Sequence, residues 1–257
     1  MALIQCSFFS ETLGVSTQLN AILPQNTSAQ IGMAGKEIDG ELPVLYLLHG
    51  MSDDHTCWCR RTSLERYVSE LGIAVIMPSA GRSFYRNCNP QMCYWDFLSE
   101  ELPTLAKKFF RISDRRENTF VAGLSMGGYG AFKLAFNHPE RFAAAASFSG
   151  SFENRWLEEE NPTEYHYIFG NRKDLVGTED DLPGKAKELA ASGKEKPRLY
   201  MGCGTEDLLY SVNVEYRDML KNLGYDLTYR ERPGKHCWEF WDLEIQTALK
   251  WMFQDRN

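Results

Sequence analysis

The feature that most constrains the fold is an alternation of short, continuously apolar runs with amphipathic stretches of helical length. Val44-Leu45-Tyr46-Leu47-Leu48 is apolar throughout and stops at His49-Gly50, as a strand does when helices cover both faces of its sheet. Similar runs recur over 73–77, 119–122, 143–148, 199–202 and, more polar, 227–230. Between them lie segments of helical period at 62–71, 95–110, 126–137, 211–223 and 238–253. Thr62 and Glu65 have capping-box spacing, and His138-Pro139 marks a helix stop. Two extended runs around Glu11-Thr12-Leu13-Gly14 predict an antiparallel hairpin over 3–24 at a sheet edge. Together these patterns predict an α/β fold with a mostly parallel, doubly wound sheet.

Residues 151–195 break the rhythm. They hold 11 acidic and 6 basic residues, so most of the chain's negative balance sits there. The aromatics Phe152, Trp156, Tyr165, Tyr167 and Phe169 favour a packed lid over a loose surface segment. The runs Glu158-Glu159-Glu160 and Glu179-Asp180-Asp181 read as solvated faces. With no repeat and no linker-like stretch, residues 1–257 read as one domain carrying this lid-like insertion.

Composition excludes several classes. With 28 Lys and Arg against 35 Asp and Glu the net charge is −7, and no basic run offers the clustered positive charge that phosphate backbones require, so no nucleic acid is expected. No run of ~18 apolar residues suggests a membrane span, and Met1 to Ser10 lacks a basic leader, so a cytoplasmic protein is expected. The seven cysteines are an odd number spread along the chain, which predicts reduced thiols. His55, Cys57, Cys59, Cys88 and Cys93 fall in loops at one sheet edge, but C-x-C and C-x₄-C are not usual zinc spacings, so no metal is expected.

The chemistry centres on Gly123-Leu124-Ser125-Met126-Gly127, directly after one apolar run and directly before a helical pattern. At a strand-to-helix corner this spacing describes a nucleophile elbow, in which a strained turn exposes the serine and the flanking glycines avoid a clash. A serine hydroxyl needs a base to take its proton and a carboxylate to orient that base. Gly202-Cys203-Gly204-Thr205-Glu206-Asp207 leaves a buried run and supplies Asp207 as the acid, with Glu206 as its one-residue rival. Arg232-Pro233-Gly234-Lys235-His236 precedes the final helical segment and supplies His236 as the base. His49 and His55 precede the serine, His138 is a helix stop and His166 lies in the insertion. The backbone N–H groups of Met51 and Met126 are placed to bind a tetrahedral oxyanion. Trp95, Tyr129, Trp156 and Trp238 are candidates to line an acyl or alcohol pocket, although aromatics at such positions are more often core, and Cys237 reads as a packing thiol.

These segments resemble the α/β-hydrolase esterases of the esterase D type, most closely the bacterial tributyrin esterases of streptococcal kind. The resemblance rests on residues 44–52, on Glu101-Leu102-Pro103, on Ala122 to Gly130, on Ala146-Ser147-Phe148-Ser149-Gly150, on 203–210 and on His236-Cys237-Trp238-Glu239-Phe240-Trp241. It implies a cofactor-free serine carboxylesterase that prefers short acyl chains, with catalytic roles on Ser125, Asp207 and His236. Residues 151–195, where such enzymes shape the acyl pocket, match least. Relatives cleave S-formylglutathione, release acetyl or feruloyl groups from polysaccharides, or transfer acyl groups with the same triad. The expected partner is a small-molecule ester, and a homo-oligomer is compatible with the sequence.

Overall fold

In the computed structural model, which describes residues 1–253 apart from 28, 37 and 89–91, eight strands form one sheet. They are Ala2–Ser10 (β1), Val15–Leu23 (β2), Val44–Leu48 (β3), Ala74–Pro78 (β4), Thr119–Leu124 (β5), Ala144–Phe148 (β6), Arg198–Gly204 (β7) and Leu227–Arg232 (β8). Their order is β1-β2-β4-β3-β5-β6-β7-β8. The β1–β2 and β2–β4 pairs are antiparallel and every later pair is parallel, so the chain has the α/β architecture with the N-terminal hairpin that the sequence predicts.

The period-2 geometry of the strands divides the apolar runs between two cores. Val44, Tyr46, Leu48, Val121 and Met201 point to the face covered by the helix Met126–Asn137. Leu45, Leu47, Phe120, Ala122 and Tyr200 point to the face covered by the helices Leu64–Val68 and Trp238–Phe253. Burial on both faces explains why β3 and β5 carry no polar alternation.

Two of the predicted helices differ from expectation. The segment 62–71 shortens to Leu64–Val68 and follows a separate helix, Cys57–Arg61, that periodicity did not reveal. Thr62 makes no capping box; its hydroxyl accepts the Leu64 N–H at 3.1 Å. The segment 95–110 contains a π-helical turn, Phe97–Glu101, between Tyr94–Asp96 and Leu102–Phe109. Pro103 supplies the reason, because it has no N–H for the Ser99 carbonyl and its ring crowds that turn. The Arg141 guanidinium donates to the Ser99 carbonyl instead.

The insertion between β6 and β7 folds into the helices Arg155–Glu160, Pro162–Phe169 and Leu182–Ala191, with a 3₁₀ turn at Arg172–Leu175. Phe152, Tyr165 and Phe169 are buried as expected, whereas Tyr167 is exposed. The reading of Glu179-Asp180-Asp181 as a solvated face is overturned. Asp180 is buried and lies 2.6 Å from Lys133 Nζ and 2.7 Å from Arg86 Nε, and it accepts the Tyr129 hydroxyl at 2.9 Å. Two cations outweigh the cost of burial and hold the Asp180 carboxyl below the ordinary carboxylate range. Asp181 caps the helix Leu182–Ala191 by accepting the Gly184 N–H at 3.0 Å. The missed signal was Lys133, a cation in the otherwise apolar Ala131-Phe132-Lys133-Leu134-Ala135-Phe136. It is fully buried and therefore required an anion from elsewhere in the chain.

Candidate active site

Ser125 is the single residue between β5 and the helix Met126–Asn137, with φ 53° and ψ −117°. A non-glycine residue at this φ is strained, and here the strain lifts the side chain off the sheet edge at the positive end of a helix. The corner is tight enough to need its glycines. A Cβ on Gly123 would overlap the Gly127 carbonyl, and one on Gly127 would strike the Leu48 and His49 carbonyls. The Ser125 N–H donates to the Phe148 carbonyl at 2.8 Å, and its own carbonyl accepts from Tyr129 and Ser151 at 3.1 Å each, fixing the turn from both sides.

Asp207 and His236 come from the ends of the neighbouring strands β7 and β8. Past the strand ends the two loops remain paired, with Thr205 N–H on the Arg232 carbonyl and Glu206 N–H on the Gly234 carbonyl, both at 3.0 Å. The Asp207 side chain is fully buried, and its Oδ1 accepts the Leu209 N–H at 2.8 Å. His236 Nδ1 lies 3.0 Å from both Asp207 carboxylate oxygens, and His236 Nε2 lies 3.0 Å from Ser125 Oγ. Glu206, the alternative acid, has an exposed side chain. The three residues singled out in the sequence thus meet, while His138 stacks instead on Trp95 with centroids 5.6 Å apart.

The His236 ring packs edge-to-face on Trp241 with centroids 4.8 Å apart, and the Trp241 indole donates to Ser149 Oγ at 3.1 Å. Trp238 packs on Trp241 at 5.5 Å and Trp58 on Trp238 at 5.2 Å. Trp58 in turn donates to the Leu48 carbonyl at 3.1 Å. A wall of three indoles therefore joins the end of β3 to the histidine.

Ser125 and His236 open into a cleft of about 700 Å³ lined by Gly50, Met51, Trp156, Leu209, Trp238 and Trp241 among others. Of the four aromatics for which the sequence left pocket and core readings open, Trp156 and Trp238 line this cleft, whereas Tyr129 and Trp95 are buried away from it around Lys133. Trp156 reaches the cleft from the insertion, its indole donating to Ser151 Oγ at 2.9 Å. Met51 lies at the cleft wall and Met126 begins the helix after Ser125, its side chain fully buried. A Cβ on Gly50 would meet Leu124 Cδ1 at 2.7 Å and Ser125 Cβ at 3.8 Å, so the Gly50 backbone stands beside the serine.

Cys57, Cys59 and Cys88 have separate surroundings. Cys57 lies against Asp54 and Arg60, Cys59 against Met77, and Cys88 against the Ser83 and Arg86 carbonyls. Burial pushes the Cys57 thiol up to about 11 and raises those of Cys59 and Cys88, which favours protonated thiols over thiolate ligands. Among the described residues no three His, Cys, Asp or Glu side chains are grouped to hold a metal ion, and no helix is long and apolar enough to cross a membrane.

Residues 10–252 match the Esterase family model, described as "Putative esterase". An acetyl esterase of Caldicellulosiruptor saccharolyticus is 30% identical over 266 residues, covering 98% of this chain and 98% of that protein. A fluorophosphonate-binding serine hydrolase of Staphylococcus aureus, solved with substrate bound, superposes with a TM-score of 0.88 at 34% identity over 99% of both chains. An S-formylglutathione hydrolase of the same organism superposes with a TM-score of 0.86 at 34% identity over 98% of both. Matched along almost its whole length in sequence and fold, the chain belongs to the Esterase family, on its esterase D-like side, and is a carboxylic ester hydrolase.

Proposed function

We propose that the chain is a serine esterase that hydrolyses short-chain acyl esters through an acyl-enzyme on Ser125. The observation that carries this reading is the continuous relay from buried Asp207 through His236 to Ser125, with both links at 3.0 Å, at the floor of the cleft. Ser125 Oγ attacks the ester carbonyl while His236 Nε2 takes its proton. Asp207 keeps Nδ1 as the protonated nitrogen and stabilises the imidazolium that forms. The N–H groups of Met51 and Met126 receive the oxyanion, a contribution worth ~10²–10³ in rate per donor. His236 then returns the proton to the departing alkoxide, and a water activated by the same imidazole releases the acid.

An acetyl-sized acyl group agrees with the name of the Caldicellulosiruptor relative. A second reading, S-formylglutathione hydrolysis, is favoured by the 34% identity to the staphylococcal enzyme of that name, since the same relay cleaves thioesters. The test is hydrolysis of p-nitrophenyl acetate, butyrate and octanoate, beside S-formylglutathione and methyl ferulate, by wild type and Ser125→Ala. Short esters cleaved only by wild type are expected. Dominance of formylglutathione or ferulate would reassign the substrate, and full activity in Ser125→Ala would overturn the mechanism.

A further inference from the structure

We propose that His49 is a positioning residue for this hydrolysis, holding the Gly50–Met51 peptide so that the Met51 N–H faces the oxyanion. The inference rests on the reading of Ser125 and Met51 above and adds a residue to it. His49 follows β3 and is 1% exposed. Its Nε2 accepts the Ala80 N–H at 2.9 Å, and its Nδ1 lies 2.7 Å from the Gly50 carbonyl oxygen. A nitrogen that accepts cannot carry the ring proton, so the neutral ring holds its proton on Nδ1 and donates it to Gly50. Burial favours the neutral ring by lowering the His49 pKa.

The geometry of the peptide does the rest. A trans peptide is planar, with its C=O and N–H directed to opposite sides, and the described residues contain no cis bond. Fixing the Gly50 carbonyl on His49 therefore fixes the direction of the Met51 N–H. The Asp53 N–H reaches the same carbonyl at 3.1 Å and closes the turn. His49 is itself held, because its carbonyl accepts the Tyr85 hydroxyl at 2.9 Å. Phe84 and Tyr85 are fully buried at φ 50° and 53°, two successive strained residues that persist only where surrounding contacts determine them. Lys133 donates to the Tyr85 carbonyl at 3.1 Å and braces that loop.

The experiment compares His49→Asn, His49→Gln, Ser125→Ala and wild type on p-nitrophenyl acetate, with the affinity of a trifluoromethyl ketone as the transition-state readout. Asn places an amide donor near the Nδ1 position, whereas Gln reaches the Nε2 position and leaves the Gly50 carbonyl without its ring donor. In Gln, kcat should fall about 10²-fold, the scale of one lost oxyanion donor, with KM little changed and ketone affinity reduced in step. In Asn, at least about tenfold of that loss should be recovered, because the donor persists. Wild-type kcat in Gln, or equal losses in both variants, would overturn the proposal. If circular dichroism shows either variant unfolded, ¹⁵N spectra of the wild-type imidazole decide: a proton on His49 Nδ1 supports the proposal and one on Nε2 overturns it. Activity in Ser125→Ala would remove the underlying reading, whereas an inactive Ser125→Ala beside a fully active Gln variant would remove only the role of His49.

Discussion

Gly204 and Gly234 touch backbone to backbone: a Cβ on Gly204 would overlap the Gly234 carbonyl. This contact brings the loop carrying Asp207 against the loop carrying His236 and explains the glycine at 204, whereas a Cβ on Gly234 would meet the Phe240 ring at 2.7 Å. Gly204→Ala should separate the loops and lower kcat by about 10²-fold, the cost of a catalytic group misplaced by an ångström. Steady-state kinetics on a short ester, with a thermal melt to show that the fold survives, checks this.

The choice between the two adjacent carboxylates has a direct test. Asp207→Asn keeps the shape but leaves His236 Nδ1 facing a donor, so kcat should fall by roughly 10⁴. Glu206→Gln alters an exposed side chain and should leave kcat within about twofold, as surface changes away from a site do. A loss of that size in Glu206→Gln with Asp207→Asn still active would move the acid to Glu206.

The buried Lys133–Asp180 pair ties the insertion to the helix that starts behind Ser125. Asp180→Asn strands a buried lysine and should destabilise the fold by about 3–5 kcal/mol at pH 7. The Asp180 carboxyl is depressed in the folded chain, so its stabilisation is present above the unfolded carboxylate value of about 4 and is lost as pH falls through the lower folded value. Denaturation curves of wild type and variant should therefore converge on acidification below about pH 4; a constant gap would contradict this.

Trp156 is the insertion's aromatic contribution to the cleft. Removing its indole in Trp156→Ala widens the cleft beside Ser151, so kcat/KM for octanoate relative to acetate should rise by about tenfold, the scale of a methylene-sized change in fit. An unchanged ratio would show that acyl length is read elsewhere.

Much of this was legible in sequence because the catalytic residues sit where local rules are strong. The helix Met126–Asn137 begins where the glycine pattern and stops where His138-Pro139 say it should, and the apolar runs mark β3 and β6 to within a residue. What escaped depended on contacts distant along the chain. Asp180 looked solvated because its partners, Arg86 and Lys133, lie 94 and 47 positions earlier. The π turn was hidden because Pro103 resembles an ordinary first-turn proline until the displaced Ser99 carbonyl and its Arg141 partner are seen. Leu48-His49-Gly50 marked the strand end before the Met51 N–H, but only the loop carrying Ala80 and Tyr85 shows that the His49 ring and carbonyl are both engaged.

The placement of His236 after β8 has one more consequence. Among the described residues β8 is the last strand of the sheet, paired on one flank only, while Ser125 directly follows β5 in its interior. Edges open at lower free-energy cost than interiors. Mild denaturant should therefore detach the base from an otherwise intact nucleophile corner, and ester turnover should vanish before the far-UV spectrum changes. Catalysis should then be the earliest casualty of fraying, which would make an activity assay a more sensitive gauge of the sheet's outer margin than a measure of its bulk.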